Sequence, residues 1–193
     1  MRYIRFILLS LLILLILLLS VELRKCRREC GEATYISPME DVWMYELSFE
    51  AMLQNDGIAL DTVRLISLSG DTIMMGDIVD DSKLNIICRI GEYDCQACVI
   101  YAVEKIKQFV QQKSNISVAL LLDNAEYSAV VEGELPIYVV DNMEIPIDAI
   151  CKPYYFILES DLRIQKLFVP LRESPSVVDR WLNVVYTLFK RES

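Results

Sequence analysis

The chain of 193 residues contains no histidine. That absence removes Ser/His/Asp and Cys/His catalysis, His-ligated zinc and the usual proton shuttle in one step. A concentration of positive charge is missing as well. The formal net charge is −9, whereas a nucleic-acid partner needs a basic face to neutralise phosphates, so no nucleic-acid partner is expected. There is no internal repeat, and low complexity is confined to a leucine-rich N-terminus. What covalent chemistry the chain has must come from its six cysteines.

Residues 6–21 carry no charge and are apolar except for Ser10 and Ser20. As a helix at about 1.5 Å per residue the run spans roughly 24 Å, a little under the ~30 Å hydrocarbon core of a bilayer. Tyr3, Arg5 and Arg24 can snorkel to the two interfaces, so one spanning helix is expected over residues 1–25. "SVELRKC" offers no small-residue cleavage site, and Leu23-Arg24-Lys25 does not prepare Cys26 for lipidation. The segment therefore reads as an uncleaved signal anchor. Arg24, Lys25, Arg27 and Arg28 follow it, and a positive-inside count alone would leave the following domain in the cytoplasm.

Residues 26–61 read as a charged juxtamembrane linker and a helix. Ser37-Pro38-Met39-Glu40 has the form of a capping box with proline at the first helical position, opening a helix to about Gln54. "VRLISLSGDTIMMGDIV" reads as a β-hairpin around Ser69-Gly70-Asp71. "KLNIICRI", "ISVALLL" and "LPIYVVD" read as three buried strands, with a short helix near Tyr127. After the first strand, Val99, Ala102, Val103, Ile106, Phe109 and Val110 line one helix face. "YYFIL" and "IQKLFV" flank Glu159-Ser160-Asp161-Leu162-Arg163 as a second hairpin, and Ser174-Pro175 opens a last helix whose inner face is Val177, Val178, Trp181, Leu182, Val185 and Leu188. Alternating strand and helix imply an α/β domain, placed at residues 62–193, with the preceding helix extending the compact unit to about residue 38.

"EYDCQACVIYAVEKI" puts Cys95 and Cys98 at the junction between a buried strand and its helix. A thiol at a helix N-terminus faces unpaired backbone N–H groups and the positive end of the dipole, both favouring thiolate. Cys95 is the expected nucleophile. Cys98, one turn further on, is close enough to attack a mixed disulfide at Cys95 and release the reduced partner.

The order of these elements, with "CQAC" after a central strand and "ICKPYYFILESDLRI" carrying Pro153 before the final hairpin, resembles the thioredoxin-like superfamily, in particular its TlpA/peroxiredoxin-like thiol-disulfide oxidoreductase branch. The resemblance covers about residues 62–190. It implies a central mixed sheet flanked by helices, with an N-terminal β-hairpin extension. It also implies that Pro153 is a cis-proline beside the redox pair and that the backbone of Lys152 pairs with a substrate segment. Tyr93 is the candidate surface contact beside the pair, and no dissociable cofactor is implied.

Two positions depart from the family pattern. Asp94 stands where an aromatic residue usually precedes the first cysteine, with Glu92 nearby, and carboxylates there oppose thiolate formation. Arg89 occupies the strand position, six residues before the nucleophile, where thioredoxins bury a carboxylate.

The expected function is a membrane-anchored thiol-disulfide oxidoreductase. Its partners are thiols and disulfides of exported proteins together with an electron donor or acceptor. Because disulfides persist in oxidising compartments, the domain is expected on the periplasmic side of a bacterial inner membrane, against the charge count. The alternative is a redox-inactive thioredoxin-fold binding module with a structural CxxC, and exposure of Cys95 discriminates the two. A four-thiolate zinc site joining Cys26 and Cys30 to the pair is disfavoured by the long spacing, and no metal is expected. A peroxidase reading lacks the threonine arrangement it requires. Cys88 is expected in the core, as are Tyr154, Tyr155 and Trp181, and Cys151 is expected there or near the redox pair through Pro153.

Overall fold

The computed structural model describes residues 38–129, 131 and 135–192. The expected membrane anchor, Cys26 and Cys30 lie outside the described residues. No helix among the described residues is long and apolar enough to cross a membrane.

The sheet grows outward from its most apolar segment. Strand β3 (Leu84–Ile90) is buried at all seven positions, which only a strand covered on both faces can be. It pairs in parallel with β4 (Ile116–Leu122), Leu84 opposite Ile116 and Ile90 opposite Leu122. Helix α2 (Gln96–Gln112) makes the connection between them, since parallel neighbours need a crossover.

On the far side of β4 lies β5 (Ile137–Val140), again parallel. The hairpin of β1 (Arg64–Ser67) and β2 (Thr72–Met74) then extends the sheet antiparallel. Its turn is made at Gly70, whose φ of +92° suits a residue without Cβ. On the other side of β3, β6 (Tyr154–Leu158) and β7 (Ile164–Phe168) add antiparallel strands. The strand order is β2-β1-β5-β4-β3-β6-β7.

The twofold alternation of β3 feeds two separate core layers. Ile86, Cys88 and Ile90 face the layer built with Val99, Ala102, Val103 and Ile106 of α2 and with Val178, Leu182 and Val185 of α3 (Pro175–Glu192). Ile87 faces the other layer, where Ala51 and Leu47 of α1 (Pro38–Asn55) pack with Leu121, Phe156 and Leu158. Each fully buried aliphatic or aromatic side chain contributes about 1.5–3 kcal/mol, so the two layers together offset the cost of ordering the sheet. Trp181 is half-buried and stacks on Phe168 with ring centroids 5.1 Å apart.

The expected elements are present, with adjustments at their ends. The short helix near Tyr127 is a 3-10 segment, Ala125–Ala129. Two further 3-10 segments, Met75–Ile78 and Pro146–Ile150, were not anticipated. Cys88 is buried as expected. Cys151, expected in the core or near the redox pair, is exposed and adopts a left-handed conformation with φ +50°. It ends the Pro146–Ile150 segment, and a helix C-cap position in that conformation turns away from the core.

Candidate functional site

The carboxyl ends of β3 and β4 meet at one end of the sheet, and the thiol pair leaves from there. The backbone N–H of Asp123, just past β4, donates to the carbonyl of Ile90 at 3.2 Å. The chain then crosses Gly91 to Asp94 and enters α2 with Cys95 as its N-cap residue. The Cys95 carbonyl accepts from the N–H groups of Cys98 and Val99, both at 2.9 Å, so the first helical turn closes directly over the pair.

Cys95 is exposed and Cys98 is half-buried behind it. The Cys95 thiol is held below its ordinary value. The largest cause is the hydrogen bond donated by the Cys98 side chain, followed by the backbone N–H of Cys98, with the N–H of Ala97 and the positive charge of Arg172 adding to it. The Cys98 thiol is pushed up to about 11, first by burial and then by its bond to Cys95, with Lys152 pulling the other way. The two sulfurs are thus chemically unequal. One is exposed with its thiolate form favoured, and the other is half-buried with its protonated form favoured.

Asp94 does not act as its sequence position suggests. Its side chain is 8% exposed and turns back to accept the Gly91 N–H at 2.8 Å. Burial raises its carboxyl to about 6, because a charged carboxylate is disfavoured away from water. The loop is closed from outside as well. Asp123 accepts the Glu92 N–H at 2.9 Å, and the Tyr127 hydroxyl donates to the Glu92 carbonyl. Gly91 suits this crowding, since a Cβ there would lie 3.3 Å from Asp94 Oδ1 and 3.4 Å from Asp123 Oδ2.

Arg89 is 1% exposed and points into the α1 side of the sheet. Nη2 donates to Asp123, Nη1 lies 3.1 Å from the Ile90 carbonyl, and Nε lies 4.0 Å from Asp148 Oδ1. Burial opposes its charge, but the Asp123 bond and the negative field of Asp123 and Asp148 outweigh that, and its pKa is raised. The position that carries a carboxylate in the family pattern therefore holds a permanently cationic group surrounded by carboxylates.

On β6, Tyr154 and Tyr155 stand opposite Arg89 and Cys88, which brings the preceding Lys152 and Pro153 to the same end of the sheet. The Pro153 side chain is buried. The expected cis bond is corrected: among the described residues no peptide bond is cis. A trans bond follows from the local chain, because the turn into β6 is already made by the left-handed Cys151. Tyr93 is 79% exposed, immediately before the loop enters α2. Asp123, Tyr127 and Asp148 were not singled out from the sequence. Each acts through a backbone or side-chain partner more than 30 positions away, a relation no local spacing encodes.

A cavity of about 460 Å³ lies at the opposite end of the sheet, lined by Lys83, Leu84, Leu158 and Lys166. It is remote from the chemistry just described, because Leu84 begins the strand whose other end carries the pair.

The fold is thioredoxin-like. The solution structure of an uncharacterized thioredoxin-like protein from Porphyromonas gingivalis matches it with a TM-score of 0.50 at 13% identity, over 68% of this chain and 94% of that one. The crystal structure of PrxQ from Xylella fastidiosa matches with a TM-score of 0.47 at 12% identity, over 69% of this chain and 96% of that one. No protein-family model and no curated sequence matches the chain.

Proposed function

We propose that the chain is a thiol-disulfide oxidoreductase in which Cys95 attacks and Cys98 resolves. The observation that carries this reading is the asymmetry of the pair: Cys95 is exposed with a lowered pKa, and Cys98 lies behind it with its thiol raised to about 11.

The Cys95 thiolate attacks one sulfur of a substrate disulfide, forming a mixed disulfide and expelling the other sulfur as a thiolate. Cys98 then attacks the Cys95 sulfur, passing its proton to the departing substrate thiolate. The Cys95–Cys98 bond forms as the mixed disulfide breaks. The substrate gains two electrons: one of its thiols takes the Cys98 proton, the thiolate expelled first takes a proton from water, and the protein pair stays oxidised until a donor reduces it. Tyr93 offers an exposed ring to the substrate, while Lys152 and Pro153 lie on the side where an extended substrate segment would pass.

The uncharged run at residues 6–21 supports a membrane-anchored form of this activity, and the poised pair supports a periplasmic placement with exported proteins as substrates. Reporter fusions after Phe189 test the placement, and a cytoplasmic signal would refute it.

The chemistry is tested by capture. Cys98→Ser should accumulate a mixed disulfide with the native partner, and Cys95→Ser should abolish exchange. A Cys98→Ser chain that captures nothing in cells would favour a binding module with a structural pair.

A further inference from the structure

We propose that Arg89 is a positioning residue for the thiol pair, holding through Asp123 and Asp148 the two loops that frame Cys95. The proposal rests on the exchange reading given above and deepens it.

One buried guanidinium reaches both loops. Its Nη2 bonds one oxygen of Asp123, and the other oxygen of that carboxylate accepts the Glu92 N–H at 2.9 Å, three residues before the nucleophile. Its Nε lies 4.0 Å from Asp148 Oδ1, an electrostatic contact without a hydrogen bond. Asp148 in turn accepts from the Ile145 N–H at 3.0 Å and the Tyr154 hydroxyl at 2.8 Å. Those two bonds fix the 3-10 segment leading to Lys152 and Pro153. Nη1 ties the same group to the carbonyls of Ile90 and Leu121, at 3.1 and 3.4 Å, the last turns of the chain before each loop departs.

The arrangement matters because Cys95 owes its low pKa to direction. Its sulfur is stabilised by the Cys98 thiol and by the N–H groups of Cys98 and Ala97. These donors belong to α2, whereas the chain that delivers Cys95 to them is the 91–94 loop. Without Asp123 the loop loses the bond that holds its Glu92 N–H and keeps only the Tyr127 contact to the Glu92 carbonyl, so the sulfur shifts off the axis of those donors. The pairing also explains why the position tolerates a buried cation, since a carboxylate there would face Asp123, Asp148 and Asp94 with no counter-charge.

A merely structural ion pair and a positioning device differ in what they move. The test uses the full reduced chain, alkylated with iodoacetamide across a pH series, with the Cys95 peptide quantified by mass spectrometry and folding followed by circular dichroism. Asp123→Ala should raise the alkylation midpoint of Cys95 and slow its labelling at neutral pH roughly tenfold, the scale expected when a reacting atom is displaced by a fraction of an ångström. Arg89→Met/Asp123→Asn removes both charges, leaves no unpaired buried cation, and should show the same shift. Leu84→Ala, which weakens the core at the opposite end of β3 from the pair, should leave the Cys95 midpoint where it is in the parent chain. The proposal is overturned if both loop variants keep the parent midpoint and rate, or if Leu84→Ala moves them as far. Should the double variant not fold, Asp123→Ala alone decides. Failure of the exchange reading looks different: the unsubstituted chain would then label Cys95 no faster than Cys98.

Discussion

Tyr155 of β6 donates its buried hydroxyl to the carbonyl of Ala102 in α2 at 2.5 Å. This one bond joins the strand next to β3 to the helix that carries the thiol pair. Burial holds the phenol well above its ordinary pKa, so it remains a donor throughout the accessible pH range. Tyr155→Phe keeps the ring and deletes the donor. The expected loss is about 1 kcal/mol, read as a lower midpoint in thermal or urea unfolding with little change in m-value. A stability equal to the parent would show the bond to be energetically idle.

The thiol asymmetry gives a labelling order. With Cys95 held below its ordinary value and Cys98 pushed up to about 11, iodoacetamide at neutral pH should mark Cys95 first. Cys98 should follow only in strongly alkaline solution. Cys88, buried and with its thiol pushed up by desolvation, should stay unmarked until the chain unfolds. Peptide mass spectrometry against time checks all three together.

Asp94 predicts a pH dependence with a defined sign. Its carboxyl titrates at about 6 in the folded chain against an ordinary 3.8, so between those values the folded state binds more protons than the unfolded one. Stability from this group is highest below about pH 4, falls as pH rises through that window, and stays lost above it. Asp94→Asn keeps an oxygen for the Gly91 N–H and carries no charge. It should stabilise the protein at neutral pH by on the order of 2 kcal/mol, with the advantage vanishing in acid. Denaturant titrations at several pH values measure it.

Gly91→Ala places a methyl 3.3 Å from Asp94 Oδ1 and 3.4 Å from Asp123 Oδ2. The Asp94 carboxyl must give by a few tenths of an ångström while the Asp123 contact stays ordinary, which should cost about 1 kcal/mol and slow Cys95 labelling with it. An alanine variant matching the parent in both unfolding and labelling would show that the loop has slack.

Much of this architecture was legible because it is written in local pattern. The aliphatic runs from Leu84 and Ile116 coincide with β3 and β4, and the helical spacing of Val99, Ala102, Val103, Ile106 and Phe109 is the buried face of α2. Cys95 and Cys98 could be found because a helix start leaves backbone donors unpaired. The surroundings of the pair were less accessible. The pairing of Arg89 with Asp123 joins the ends of two strands that only sheet formation makes neighbours. Asp94, read from its place beside Cys95, seemed to oppose the thiolate, and the inward turn of its side chain is decided by the Gly91 amide. Pro153 lost its expected cis bond because Cys151 already supplies the turn.

The position of β6 has a consequence for how the protein is made. β3 receives β6 as its antiparallel neighbour, Ile86 opposite Ile157, and Arg172, which favours the Cys95 thiolate, lies further along still. During synthesis both cysteines therefore leave the ribosome long before their surroundings exist. On the nascent chain both thiols are open to pairing with each other or with any oxidant they meet. The donors of α2 travel with the pair, but the charges of Lys152, Arg172 and Glu173 that further bias the two thiols arrive only with the C-terminal third of the chain.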